Sequence, residues 1–315
     1  MISLISIGLL SGLFFSTTFI LNRMMSLEGG HWIWSASLRY AFMILILTGS
    51  IAVFKGVDAT KGLIRLFLNH WKFWTLTGTI GFGGFYSLIC FSADHSPGWV
   101  IAATWQLTII ATLVVLVCFG RSFPKKVWFF SIIIFAGVLM VNLSHIKVLS
   151  LTELCMGALP VLIAAFCYPI GNQLVWEAMN GNRFLPDINH PLLENPFHKV
   201  LLLSWGCVPF WLILVGMIRP QLPSSGQVIN TALVALFSGV IATSLFLMAR
   251  NKARKPSELA AVDATQASEV IFALIGEIVI LNAPLPNSLA IAGIGLVFFG
   301  LALFIRFQEV EKKMS

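Results

Sequence analysis

Long stretches without a charged side chain alternate with short polar joints along the whole chain. Residues 2–22, 73–93, 95–120, 127–146, 154–176, 200–218, 220–249 and 278–305 contain no Asp, Glu, Lys or Arg. About 20 such residues let a helix cross roughly 30 Å of hydrocarbon, and each stretch reaches or approaches that length. Two more segments fit with isolated charges: 32–54, interrupted by Arg39, and 259–281, interrupted by Asp263, Glu269 and Glu277. The pattern predicts ten spanning helices, at 3–22, 32–54, 73–92, 97–118, 127–144, 154–175, 200–218, 228–248, 259–281 and 287–305. Residues that end helices fill the joints: Gly29-Gly30, Ser96-Pro97-Gly98, Pro124, Pro220, Pro256 and Pro284. The expected fold class is an all-α polytopic membrane protein.

Composition excludes the soluble alternative. Of 315 residues 58% are apolar and only 10% charged, against about a quarter charged in soluble domains. The net charge of +7 would suggest a nucleic-acid partner in a soluble chain; here it concentrates in loops and sets orientation instead. With the amino terminus in the cytoplasm, 16 Lys and Arg residues lie on the inner side and three, Arg23, Lys147 and Arg219, on the outer. Both termini are therefore expected inside, in the cell membrane. The apolar run near Met1 has neither a basic leader nor a convincing small-residue cleavage site, and reads as a retained helix. Cys90, Cys118, Cys155, Cys167 and Cys207 all sit in apolar segments with no CxxC spacing. They read as packing residues, without a disulfide framework or metal site.

The ten segments divide into two sets of five, 1–146 and 147–315. Faint internal matches follow in order: Asn22-Arg23 with Asn172-Gln173, Ser87-Leu88 with Ser244-Leu245, and Gly137 with Gly300. An odd number of spans per copy turns the second copy upside down, the inverted-repeat architecture of many transporters. The one sizeable loop, 176–199, holds Pro186, Pro191 and Pro196 and is expected to be an irregular cytoplasmic link.

Charges at membrane depth cost from roughly 2.5 kcal/mol upward and usually face the interior of a bundle. Arg39 lies about seven residues into its segment, roughly 10 Å deep at 1.5 Å per residue. It either snorkels to the headgroups or serves as an ion-pair or anion-facing group inside. In 259–281, Asp263, Gln266, Glu269 and Glu277 fall within one helical arc of about 120°. Asp263 also suits a first-turn acid favoured by the helix dipole. Glu277 sits at a depth similar to Arg39 and is expected to pair with it, leaving Glu269 near the midplane. Desolvation favours the neutral form of a carboxyl group in hydrocarbon, so an acid there can exchange a proton as a cavity changes face. Gln106 stands opposite Glu269 in the repeat, as a substrate contact or an interhelical hydrogen bond. Tyr86, Ser87, Tyr168, Ser238, Thr243 and Ser244 could complete a wet wall. The candidate substrate- and proton-binding set is Arg39, Gln106, Glu269, Glu277, Tyr86 and Ser244. No catalytic residues, metal ligands or cofactor are indicated: the histidines lie at span ends or in loops, and HExxH, GxSxG and P-loop motifs are absent.

Several stretches carry a family likeness. FILNRMMSLEGG (19–30), HWIWSASLRYAFM (31–43), CYPIGNQL (167–174), ALFSGVIATSLFLMA (235–249) and AVDATQASEVIFALIGE (261–277) resemble the drug/metabolite transporter superfamily, specifically its ten-span bacterial branch of multidrug resistance efflux transporters. The resemblance implies two inverted five-helix repeats around a central cavity, cytoplasmic termini and export of small molecules. It also implies that Arg39, Gln106 and Glu269 are cavity residues. Small four-span members of the superfamily exchange protons for cationic drugs through a glutamate in the first helix. Here 3–22 has no acid, so helix 259–281 would have to take that role. The expectation is a secondary transporter exporting a drug or metabolite, with proton coupling as an option and a monomer or weak homodimer as the unit. The alternatives are a proton-independent uniporter or exchanger, and a membrane-embedded enzyme or lipid-handling protein.

Overall fold

The computed structural model describes residues 2–144, 151–254 and 256–307. His145, Lys147, Lys255, Lys312, Lys313 and the expected boundary at 146/147 lie outside the described residues. The described elements are helices. In chain order, α1 is Ile2–Leu27, α2 Trp32–Lys55 and α3 Val57–Asn69. Helix α4 covers 71–92 as Trp71–Gly78, a π-wound Thr79–Gly84 and Phe85–Ser92. Then come α5, Gly98–Cys118, α6, Lys125–Leu143, α7, Leu151–Met179, α8, Pro196–Ile218, and α9, Ser225–Lys252. Helix α10 covers 256–281, with a 3-10 turn at Thr265–Ala267, and α11 is Ser288–Phe307.

Among the described residues nine helices, all but α3 and α4, are long and apolar enough to cross a membrane. The chain is an all-α polytopic membrane protein. The stretch expected as a further span at 73–92 is helical, but Thr75, Thr77, Thr79 and four glycines dilute its apolar character. Helix α3 is an addition to the expected list. It is amphipathic, with Leu63 and Leu66 buried and an exposed Lys61–Asp58 pair 3.5 Å apart on its polar side. Its charges hid it from a search for uncharged stretches.

The outward faces are apolar. Ile132, Leu212, Met217 and Val279 are each 62% exposed or more, a surface that water penalises and lipid does not. Inside, small residues bring backbones together, as lipid-embedded helices require. Gly137 of α6 and Gly293 of α11 abut reciprocally: a Cβ on either would come within 2.8 Å of the other's carbonyl oxygen. Gly81 of α4 faces Gly171 of α7 in the same manner. Helix α1 packs on α9 and α10, while α7 packs on α4 and α5; α2 lies against α9, and α8 against α4.

Irregular winding recurs at related places. The π segment Thr79–Gly84 in α4 has a counterpart at Ala235–Ala242 in α9. Helix α5 breaks at Gln106-Leu107, and α10 breaks around Gln266. π turns concentrate at functional sites because they misalign backbone groups. Two neighbours compensate here: the Tyr40 hydroxyl donates to the Phe82 carbonyl at 3.1 Å, and the Thr243 hydroxyl to the Ser238 carbonyl at 3.3 Å. The link expected at 176–199 is shorter, because 176–179 belong to α7 and 196–199 to α8; between them the described element is a short 3-10 turn, Pro191–Glu194.

Candidate functional site: a central aromatic cavity

The irregular segments surround a cavity of about 710 Å³. Helices α1, α2, α4, α5, α7, α8, α9 and α10 contribute to its wall, which continues to Asn180, Leu193 and Glu194 of the link. Its size falls within the range of small-molecule sites. Much of the wall is aromatic. Phe85 lies 4.9 Å from Trp105 and 5.2 Å from Tyr168, ring centre to ring centre, and Trp105 and Tyr168 are 5.9 Å apart.

Two charged side chains from membrane-spanning helices, α2 and α10, meet this space. Arg39 of α2 is 9% exposed and Glu269 of α10 is 6% exposed, and both line the cavity. Arg39 is folded inward: its guanidinium carbon lies 4.0 Å from the Tyr86 ring centre, and Nη2 donates to Ser238 Oγ at 3.3 Å. Ser238 also accepts from the Thr18 hydroxyl at 2.6 Å, tying α1, α2 and α9 to one oxygen. The Arg39 Nε has no hydrogen-bond partner among the described residues. Tyr86 is fixed beneath the guanidinium by Asn22, whose amide donates to its hydroxyl at 2.9 Å.

Glu277 is placed elsewhere. It is 1% exposed and does not line the cavity. It accepts from the backbone N–H of Gly98, the first residue of α5, at 2.5 Å, with Arg23 of α1 within electrostatic reach. The pairing expected between Glu277 and Arg39 is not among the ion pairs of the described residues, which are Lys61–Asp58 and Arg250–Asp263. Helix pitch gave the two groups similar depth; which neighbours stand between them is a matter of bundle packing. Asp263 is 2.5 Å from Arg250, so this acid joins α9 to α10.

Of the other expected site residues, Tyr86 is fully buried behind Arg39, away from the cavity surface. Gln106 is buried at the α5 break and donates to the Ala102 carbonyl at 3.3 Å. Ser244 is turned onto its own helix, donating to the Val240 carbonyl at 2.7 Å. Neither lines the cavity. Gln266, Thr18, Trp105 and Asn172 do line it and were missing from the candidate set. Gln266 was visible on the acidic stripe of its helix, and Thr18 in the polar run Ser16-Thr17-Thr18. Asn172 stood only in the faint internal match with Asn22 and in CYPIGNQL, and Trp105 gave no signal beyond residue type. Among the described residues, no group of three His, Cys, Asp or Glu is placed to hold a metal ion.

The sequence matches the family model described as "EmrE: Putative multidrug resistance efflux transporter" over residues 2–310. The chain belongs to this family. Membership places it among EmrE-like drug/metabolite transporters, a transporter family and not an enzyme family. It is 39% identical over 316 residues to "Uncharacterized protein YjlA" of Bacillus subtilis (strain 168), covering 95% of this chain and 93% of the relative. A Shouchella clausii relative, "Uncharacterized 42.1 kDa protein in intracellular alkaline protease 3'region", is 34% identical over 276 residues, covering 84% and 69% of the two chains. A solved structure described only as "Crystal structure of protein" superposes with a TM-score of 0.56 at 14% identity, covering 98% of both chains. That likeness concerns the fold alone.

Proposed function

We propose that the protein is a secondary transporter that exports small molecules through the central cavity by alternating access. The observation carrying this is that Arg39 and Glu269 are both buried yet line the same aromatic-walled space. Buried ionisable groups in a membrane cost energy, and their retention beside a cavity points to a substrate or ion path. In this reading Arg39 meets substrate, Glu269 carries a proton or cation, and Tyr86 positions Arg39. Gln266 takes the wall role first assigned to Gln106, while Gln106 and Ser244 shape their helices. Glu277 closes the outer end.

The proposed architecture is ten spans, with α4 the tenth, in two inverted halves meeting at 146/147. Both termini face the cytoplasm of the cell membrane. Three features support it. The π segments of α4 and α9 and the breaks at Gln106 and Gln266 recur in the same order. The packing of α1 on α9 and α10 mirrors that of α7 on α4 and α5. Finally, α6 and α11, the last helix of each half, cross at Gly137 and Gly293 and stay out of the cavity wall. Rocking one half against the other would expose the cavity alternately, as inverted repeats permit. In this reading the cavity, whose wall reaches the link, opens toward that side, and the Gly98–Glu277 contact closes the other.

Reconstitution into vesicles tests the reading. Substrate flux with an imposed pH gradient should exceed flux without one, and Glu269→Gln should remove the difference while leaving the protein inserted. Gradient-driven flux that persists in that variant would exclude Glu269 as the proton carrier.

A further inference from the structure

The substrate's chemistry is written in how Arg39 is left. The guanidinium is 9% exposed, takes part in none of the ion pairs among the described residues, and has Nε without a partner. The carboxylates that share its depth are otherwise disposed. Glu277 is held on the Gly98 N–H, and Glu269, on the same wall, forms no ion pair with Arg39. A buried cation without a counter-charge is costly, and buried charges are normally paired. The Tyr86 ring covers one face of the guanidinium and Ser238 accepts from Nη2, which leaves the positive charge of a cavity-lining side chain unmatched. A guanidinium carries paired N–H groups that fit the two oxygens of a carboxylate.

We infer that the cavity recognises an amphipathic organic monoanion, its carboxylate on Arg39 and its apolar body against Phe85, Trp105 and Tyr168. This rests on the transport reading above. One guanidinium neutralises one negative charge, and the cavity's other cation, Lys199, shares the wall near the link with Glu194. A dianion such as a phosphate monoester would therefore bring an uncompensated charge among aromatic walls. A cationic drug would meet Arg39 as a like charge.

The test uses the full chain in lipid nanodiscs and in vesicles, with 3-phenylpropionate, phenylalanine and tetraphenylphosphonium as probes. The expected result is saturable binding of 3-phenylpropionate, read by tryptophan fluorescence and thermal shift, and its movement across vesicles. Arg39→Gln should weaken binding at least tenfold. Arg39→Lys, which keeps the charge and loses the fork, should weaken it severalfold; this variant also serves if Arg39→Gln does not fold. Arg183→Gln, an exposed arginine of the link, should leave binding unchanged. Tetraphenylphosphonium moving while 3-phenylpropionate does not would overturn the anion assignment and leave transport standing. Phenylalanine moving without 3-phenylpropionate would also overturn it, because an ammonium group would then be required. Movement of none of the three would overturn it and withdraw support from the transport reading as well.

Discussion

If Glu277 closes the outer end as proposed, glutamine at position 277 should loosen that end by a predictable amount. The Glu277 carboxylate accepts from the Gly98 N–H, one of the N-terminal donors of α5 that have no partner within their own helix. A hydrogen bond to a charged group contributes about 1.5–3 kcal/mol net, against about 0.5–1.5 kcal/mol for a neutral acceptor. A negative charge at a helix N-terminus adds about 0.3–1 kcal/mol. Glu277→Gln keeps one neutral acceptor and loses the charge, so the closed arrangement should weaken by about 1.3–2.5 kcal/mol. At 1.4 kcal/mol per factor of ten, that raises the outward-open population roughly 8- to 60-fold. The contact is tight: a Cβ on Gly98 would come 2.5 Å from the Phe19 carbonyl oxygen, so α1, α5 and α10 meet with no slack. The assay places a cysteine at Thr18, on the cavity wall, in a background lacking the five native cysteines. A membrane-impermeant thiol reagent is then applied from the side bearing Gly98. Labelling should accelerate by the stated factor in Glu277→Gln and further in Glu277→Ala. If both variants remain folded by size-exclusion chromatography and label at the parental rate, Glu277 does not hold the outer end closed.

Other consequences concern packing and polar contacts, and thermal unfolding in detergent measures most of them. Gly137→Ala should destabilise by about 0–2 kcal/mol, since overpacking costs about 1–3 kcal/mol and helix propensity returns about 1 kcal/mol. Gly295→Ala, on the same partner helix with nothing within 4 Å of its added Cβ, should be neutral or stabilising. Equal behaviour of the two would mean that the α6–α11 crossing is not tight. Ser238→Ala removes the common acceptor of Thr18 and Arg39 and should cost about 1–3 kcal/mol in stability. It should also weaken substrate binding, measured by titration. Asp263→Asn breaks a partly exposed pair, whose side chains are 38% and 27% accessible. Such pairs contribute about 0–1 kcal/mol, so the unfolding temperature should barely move.

The uncharged stretches of the sequence determine membrane insertion and the positions of the helices, because hydrocarbon tolerates few charges and demands internal backbone hydrogen bonds. The same argument marked Arg39 and Glu269 as unusual, since a charge at that depth is costly wherever it points. It missed α3, whose charges suit a surface helix, and it treated 73–92 as uniform where glycines and threonines allow a π turn. Helical pitch put Glu269 and Glu277 on one stripe of α10, but a shared stripe does not give shared surroundings. Tertiary packing sent Glu277 to the N-terminus of α5 and Glu269 to the cavity, and left Arg39 over Tyr86 without an acidic partner among the described residues. Periodicity fixes the direction of a side chain within its own helix, whereas its partner depends on which helix is packed opposite. That choice follows from contacts between residues far apart in the chain, such as Thr18 with Ser238 and Gly137 with Gly293.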